Sequence, residues 1–70
     1  MEDVLFTVTE AAELLKVNRN SVYKLLKANV IRGLKFGSIK ITRKELMRFL
    51  DENNGKDLSD LGNIKEFELN

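Results

Sequence analysis

The chain has 70 residues, the size of one small domain, and a core of that size leaves little room for a deep catalytic cleft. It contains no His and no Cys, which excludes disulfides, thiolate nucleophiles, imidazole bases and the usual zinc sites. The net charge of +1 hides an asymmetry, because residues 1–50 hold ten Lys or Arg and five Asp or Glu, whereas residues 51–70 hold two and six.

The excess of positive charge is greatest over residues 16–48, which contain all ten of those cations and a single acid, Glu45. So concentrated a positive charge favours a polyanionic partner. The alternative is an ordinary solvated surface, which charge by itself does not exclude.

The remaining side chains give little support to catalysis. Glu10 and Glu13 are the one close pair of carboxylates in the part predicted to fold, and a spacing of three on a helix is typical of a solvated face. We therefore expect no enzyme activity, no catalytic residue, no metal and no cofactor. No apolar run is long enough to cross a bilayer and no signal peptide opens the chain, so we expect a cytoplasmic protein without a membrane partner.

The first predicted element is a helix. Thr7 and Glu10 have the spacing of a capping box, so the helix should begin near Val8 or Thr9 and end near Lys16. Its predicted apolar stripe consists of Ala11, Ala12, Leu14 and Leu15.

A turn and a second helix should follow directly. Val17 is predicted to fill the inside of a tight turn. Asn18 is a favourable N-cap for a helix that runs from about Arg19 to Ala28 or Asn29. Two short helices separated by about three residues form a helix-turn-helix.

The pattern then changes from helical to strand-like. Gly37 and Ser38 lie between the runs LKF and IKI, and Gly at the first of two loop positions suits a type II′ turn. Residues 34–41 should therefore form a β-hairpin. Lys35 and Lys40 are predicted to face solvent near its tip.

A third helix is predicted to close the core. Thr42 and Glu45 have the spacing of a second capping box, and residues 51–55, with two Asn and a Gly, should end the helix. Its apolar residues at helical spacing are Leu46, Met47, Phe49 and Leu50. The predicted fold is therefore mainly α with a small β-hairpin, in one domain over residues 1–52.

Residues 53–70 form an acidic tail that nevertheless carries apolar side chains. Their spacing does not distinguish a helix from a strand, and the tail either folds back onto the domain or waits for a partner. Because disorder concentrates at chain ends, we predict a mobile or partner-docking tail. The apolar residues that it offers to a partner are Leu58, Leu61, Ile64 and Phe67.

The second helix separates its apolar and polar residues. At about 100° per residue, Val22, Leu25 and Leu26 share one arc, which should be the buried side. The other side offers amide, hydroxyl and cationic groups and no carboxylate, and such groups pair with base edges and hold phosphates. We therefore predict that this helix recognises nucleic acid, since a merely solvated helix would mix both signs of charge. Tyr23 suits half-buried packing and phosphate contact equally well.

The order of elements and two stretches of sequence resemble a known family. The stretches TVTEAAELLKVNRNSVYKLLK and FGSIKITRKELMRFL are similar to the excisionase family of winged helix-turn-helix domains, which are related to the DNA-binding heads of MerR-type regulators. The resemblance covers about residues 6–50. It implies that the second helix lies in the major groove of double-stranded DNA and that the hairpin forms a wing beside it.

The resemblance and the residue chemistry together give a set of candidate DNA contacts. Arg43 and Lys44 are included as possible phosphate contacts, because cations at a helix N-terminus do not favour the helix and so point to a ligand. The candidates on the recognition helix are Asn18, Arg19, Asn20, Ser21, Tyr23, Lys24 and Lys27, and those on the wing are Lys35, Ser38 and Lys40.

The resemblance also implies a function. Such proteins are small DNA-binding proteins, many of them recombination directionality factors of phages and mobile elements, which bend attachment-site DNA, bind side by side and recruit a tyrosine-type integrase. The expected partners are double-stranded DNA, an integrase and neighbouring copies of the chain, at the nucleoid of a bacterial cell. MerR-type regulators also carry a dimerisation helix and an effector domain, for which 70 residues leave no room, so we expect no small-molecule effector.

Two alternatives stay open at this point. A small transcriptional regulator would use the same DNA-binding helix, and the sequence does not distinguish it from an excisionase. A protein-interaction module would act through the apolar and acidic tail instead. Deletion of the tail would then abolish its function without changing its affinity for DNA.

Overall fold

A computed structural model of the chain describes residues 4–69, so residues 1–3 and Asn70, at the two ends of the predicted domain and tail, lie outside the described residues. The elements in chain order are β1 (Leu5–Thr7), α1 (Val8–Leu15), α2 (Arg19–Lys27), β2 (Leu34–Phe36), β3 (Ser38–Thr42), α3 (Arg43–Asn53), β4 (Lys56–Asp57) and β5 (Lys65–Glu66). The predicted fold class is confirmed, because three helices and a small antiparallel sheet form a winged helix-turn-helix.

The two helices of the helix-turn-helix begin where their caps predict. The Thr7 hydroxyl accepts from the backbone N–H of Glu10 at 3.1 Å, and the Glu10 carboxylate accepts from the backbone N–H of Thr7 at 2.9 Å. Asn18 caps α2 by accepting from the backbone N–H of Ser21 at 2.9 Å. These side chains satisfy amide groups that the first turn of a helix leaves without partners.

A left-handed residue that is not glycine follows each helix, directly after α1 and one residue after the C-cap Ala28 of α2. Lys16 has a φ of 60° and Asn29 has a φ of 59°. In each case the amide of the next residue donates to the carbonyl five residues back at 3.0 Å, which is the closing bond of a Schellman motif. Backbone hydrogen bonds therefore close the turn after α1, and Val17 is 44% exposed instead of filling the inside of the turn as predicted.

The three-stranded sheet has the order β1-β3-β2, and both pairs are antiparallel. The sequence did not predict β1, because three residues are too few to show the alternation of a strand. Phe6 of β1 pairs with Ile41 of β3, and both side chains are buried beneath the helices. The first strand thereby fixes the wing to the start of the helix-turn-helix.

The hairpin of β2 and β3, which we call the wing, differs in register from the predicted hairpin. Gly37, with a φ of 76°, connects the strands alone, where a two-residue turn was predicted. Lys35 consequently pairs with Ile39, and not with Lys40. Because a shift of one residue changes the face on which a strand residue lies, Lys35 and Lys40 lie on opposite faces of the wing.

One apolar core joins the sheet to the three helices. Leu14, Met47 and Leu50, which were predicted to be core residues, are instead about half exposed at the border between α1 and α3. The buried residues are Phe6, Val8, Ala11, Ala12, Val22, Leu25, Ile31, Ile41, Leu46 and Phe49.

The start of α3 uses its acid differently from the prediction. Thr42 accepts from the backbone N–H of Glu45 at 3.0 Å, which is half of the predicted capping box. The Glu45 carboxylate does not return to Thr42; it accepts from the backbone N–H of Arg32 at 2.8 Å and from the guanidinium of Arg48. The carboxylate is thus attracted away from the cap by two donors, the charged guanidinium of Arg48 on α3 and the backbone amide of Arg32 on the segment after α2.

Arg48 connects α3 to the segment that leaves α2. Its guanidinium donates to Glu45, to Glu52 at 2.7 Å and to the carbonyl of Val30 at 3.1 Å. The hydrogen bond from Arg48 holds the pKa of Glu45 below its ordinary value of 4.5, with the amide of Arg32 adding to the effect and burial opposing it. One cation of the basic stretch is therefore neutralised within the fold.

The tail folds back onto the domain as a second small hairpin. β4 and β5 pair Lys56 with Glu66, whose side chains form an ion pair at 3.3 Å. Leu58 and Leu61 are partly buried against the core, so these two predicted partner contacts are used within the chain. Ile64 and Phe67 remain exposed. The docking of a partner on the tail stays a prediction.

Candidate nucleic-acid interface

Five side chains form the exposed polar face of α2, which we call the recognition surface. Within residues 4–69, none of the five takes part in a side-chain hydrogen bond or an ion pair. The helix itself contains no Asp or Glu. These side chains are therefore available to a ligand. The residues of the recognition surface are Arg19, Asn20, Tyr23, Lys24 and Lys27.

The two other predicted residues of the recognition helix have a structural role. The hydroxyl of Ser21 donates to the side-chain oxygen of Asn18 at 3.1 Å, and the backbone N–H of Ser21 donates to the same atom. Ser21 is half-buried, whereas Asn18 is exposed. Both residues define the N-terminal end of α2 and so position Arg19 and Asn20 beside it.

The opposite side of α2 is held as the sequence predicts. Val22 is fully buried, Leu25 is 8% exposed and Leu26 packs partly buried against the core. Gly33 passes close to this side, because a Cβ atom on it would lie 2.9 Å from Leu26 Cδ2 and 3.1 Å from Ile39 Cγ2. The segment from α2 to the wing is thus packed against the helix, which fixes the wing relative to the recognition surface.

The three predicted wing residues are at the tip, but they are not equivalent. Lys35 and Ser38 are exposed. Lys40 is half-buried, and its ammonium group donates to the carbonyl of Phe36 at 3.0 Å and to the hydroxyl of Ser38 at 3.1 Å. Its charge is therefore held at the tip of the wing, whereas the ammonium group of Lys35 is unpaired among the described residues.

The wing also exposes apolar side chains that the sequence did not predict to be exposed. Phe36 is 73% exposed and Leu34 is 46% exposed, on the face that carries Lys40. A two-residue turn would have placed Phe36 opposite Ile39 and so on the inner face. The sequence contains no signal for a one-residue connection, so the exposure of Phe36 becomes evident only from the observed register.

The two possible phosphate contacts on α3 lie in different environments. Lys44 is exposed near the start of α3. Arg43 is half-buried and borders a hollow between α1 and α3 to which no α2 residue contributes. Arg43 also has a partner within the structure. The structure therefore does not bring Arg43 to the recognition surface.

The tail reaches the recognition surface at a place that sequence reasoning missed. Residues 58–62 form what we call the tail loop, and residues 59–62 of this loop border the same surface hollow as Lys24 and Lys27. The apolar residues of the tail signalled that it could fold back, but not where it would lie.

Residues 4–69 contain no group of three His, Cys, Asp or Glu side chains that could hold a metal ion. In the same part of the chain, no helix has the length and hydropathy needed to cross a bilayer.

Comparison with known proteins supports the assignment of the fold. The profile of a family described as "Helix-turn-helix domain" matches residues 5–54, which is more than two thirds of the chain and extends from β1 to the end of α3. Neither the comparison with curated proteins nor that with solved structures found a match. The chain therefore belongs to the helix-turn-helix domain family, and this membership implies that it binds DNA.

Proposed function

We propose that this protein is an excisionase-like factor, which binds a specific site in double-stranded DNA, bends it and recruits the integrase of a phage or mobile element. The observation that carries the proposal is the recognition surface. It combines three cations, one amide and one aromatic hydroxyl with no acid on the same helix. The resemblance to excisionases over residues 6–50 supports the more specific role.

The residues of the recognition surface suit different parts of a duplex. An Asn side chain is able to pair with both hydrogen-bonding groups of adenine in the major groove, so we assign base recognition to Asn20. Lys24 and Lys27 lie on the following turns and are suited to phosphates or to guanine. Arg19, beside the N-terminus of α2, is suited to a phosphate that the helix end also attracts.

The wing would add contacts to the DNA backbone. Lys35 and the ammonium group of Lys40 place two positive charges on the hairpin, on opposite faces. Such charges position a protein on a duplex without reading its sequence. Because Gly33 packs on Leu26, the wing would hold the DNA in a fixed relation to α2.

The proposed partners extend beyond DNA. Ile64 and Phe67 are exposed apolar residues in an acidic tail, and we assign to them contact with a tyrosine-type integrase or with a neighbouring copy on the DNA. Contact of this kind would take place in the cytoplasm of a bacterium, at the nucleoid. Neither DNA binding nor contact with these protein partners needs a catalytic group or a small-molecule effector.

Selection followed by a bending measurement tests the proposal. The full chain would be used to select binding sites from a random 20-base-pair duplex library, and the bend of a selected duplex would be measured by energy transfer between dyes at its two ends. We expect enrichment of one sequence and an increase in energy transfer upon binding. A selected site that stays straight would favour the transcriptional regulator, and the absence of any enrichment would contradict sequence-specific binding.

A further inference from the structure

The tail hairpin extends the helix-turn-helix domain with an ordered loop. The family match ends at residue 54, and the tail loop lies beyond it. Leu58 and Leu61 of this loop pack against the core and border an apolar groove with Leu25 and Phe49. The loop is thereby attached to α2 and α3 through side chains.

Hydrogen bonds within the tail give the loop a defined shape. The backbone N–H and the hydroxyl of Ser59 both donate to one carboxylate oxygen of Asp57, at 2.9 and 2.6 Å. The backbone N–H of Gly62 donates to Oδ1 of Asp60 at 3.0 Å, and that of Asn63 donates to the carbonyl of Asp60 at 3.0 Å. These two turns determine where the Asp60 carboxylate lies.

The loop lies along one side of the recognition surface. Asp60 and Leu61 border the same hollow as Lys24 and Lys27. Gly33 and the segment that leads to the wing pack on Leu26. At about 100° per residue, Lys24 and Leu26 lie on opposite sides of α2. The recognition surface therefore has the wing segment on one side and the tail loop on the other.

Asp60 brings a negative charge to a surface that has none on its own helix. Within the described residues, Asp60 forms no ion pair with Lys24 or Lys27. A DNA phosphate bound by either lysine would lie near this carboxylate, and like charges repel one another over about 10 Å at ordinary salt concentrations.

We propose that the tail loop is an acidic border of the DNA-binding face, in which Asp60 weakens phosphate contacts at the C-terminal end of α2. This inference rests on the proposed DNA-binding function. Non-specific binding depends almost entirely on phosphates, whereas specific binding also gains from base contacts. The contacts that Asp60 weakens are phosphate contacts, which both kinds of binding share, so Asp60 lowers the affinity for specific and non-specific DNA by the same factor.

One substitution isolates the charge of Asp60. Asp60→Asn keeps the side-chain oxygen that accepts from Gly62 and removes the negative charge. Glu68→Gln is the matched control, because it changes the net charge equally at an exposed tail residue that does not border the hollow. Thermal unfolding of both variants would verify that the fold is retained.

The measurement is the affinity for a dye-labelled duplex of random sequence, by fluorescence anisotropy of the full chain. At about 50 mM salt we expect Asp60→Asn to bind two- to fivefold more tightly than the unsubstituted protein, and at about 200 mM the gain should shrink. Glu68→Gln should bind as the unsubstituted protein does.

The possible outcomes separate this inference from the function on which it rests. If the unsubstituted protein binds the duplex and Asp60→Asn binds no better, the acidic border is refuted and DNA binding stands. An equal gain in affinity for Glu68→Gln would also refute the acidic border, since the change in net charge would then explain the effect without any role for the position of Asp60. If no variant binds any duplex at low salt, the proposed function and the acidic border both fail.

Discussion

The polar residues of α2 and its N-cap fall into two groups that differ in what they contribute to the fold. Asn18 and Ser21 are bound to one another as the cap of the helix, so their substitution would change the helix end as well as any DNA contact. Arg19, Asn20 and Lys27 have no partner in the described part of the chain. Substitution of this second group should affect binding and leave stability unchanged.

Asn20 and Lys27 should differ in the kind of DNA contact that they lose. Asn20→Ala should weaken binding to the selected site by about 1–3 kcal/mol and leave binding to random DNA unchanged, because it removes a base contact. Lys27→Ala should weaken binding to both duplexes by the same factor, because it removes a phosphate contact. Titration of each variant against both duplexes measures the difference, and equal losses in Asn20→Ala on both would contradict base recognition.

Glu45 makes a pH-dependent contribution to stability. Glu45→Gln should lower the free energy of unfolding by about 1–2 kcal/mol at neutral pH, because the carboxylate accepts from Arg48 and from a backbone amide while its side chain is only 14% exposed. The pKa of Glu45 is lowered in the folded state, so the contribution is full above its ordinary value of 4.5 and is lost as the pH falls through the lowered pKa.

Urea unfolding at neutral pH and near pH 3 measures this contribution. The difference between the unsubstituted protein and Glu45→Gln should narrow in acid. The control is Glu13→Gln, an exposed glutamate of α1 whose side chain has no partner among the described residues. A difference that stays constant with pH would show that the Arg48 interaction contributes nothing to stability.

At the scale of the elements, the helices were predictable and the strands were less so. Thr7 and Asn18 identify the starts of α1 and α2, because a helix cap is a local interaction between residues that are close in the sequence. The register of the wing and the pairing of Phe6 with Ile41 depend on residues far apart in the sequence. No local pattern contains that information, so β1 and the one-residue turn at Gly37 were missed.

The end of α1 contains strain that a substitution should relieve. Lys16 adopts φ 60° and ψ 40°, a left-handed conformation that costs free energy for any residue with a Cβ atom. Lys16→Gly should therefore raise the free energy of unfolding by about 0.5–1 kcal/mol. Lys16→Ala is the control, since it removes the same charge and keeps the Cβ atom. Chemical unfolding of both variants would show whether Gly alone is stabilising.

At the scale of the whole molecule, the separation of charge predicts a steep dependence of binding on salt. If about five cations of the recognition surface and the wing meet phosphates, the logarithm of the association constant should fall with the logarithm of the salt concentration at a slope of about −4 to −5. Fluorescence titrations of one duplex over a range of salt concentrations give this slope. A slope near zero would contradict an interface made of phosphate contacts.

The candidate site was partly predictable for the same reason as the fold. The exposed side of α2 follows from helical geometry, so the exposure of Arg19, Asn20 and Lys24 was predictable from the sequence alone. The neutralisation of Arg48 and the position of Asp60 arise from contacts across the whole fold. Charge counted along the sequence therefore overstated the free positive charge and missed an acid beside it.

The independence of the recognition surface from the core has a consequence for how such a protein changes over time. A helix whose outward residues have no partner within the fold is able to exchange them without losing its structure, provided that Asn18, Ser21 and the apolar side remain. If α2 reads DNA as proposed, the same scaffold is able to recognise other target sequences. A library varied only at Arg19, Asn20 and Lys24 would give folded proteins with new target sequences, and descendants of one ancestor would diverge in the sites that they recognise.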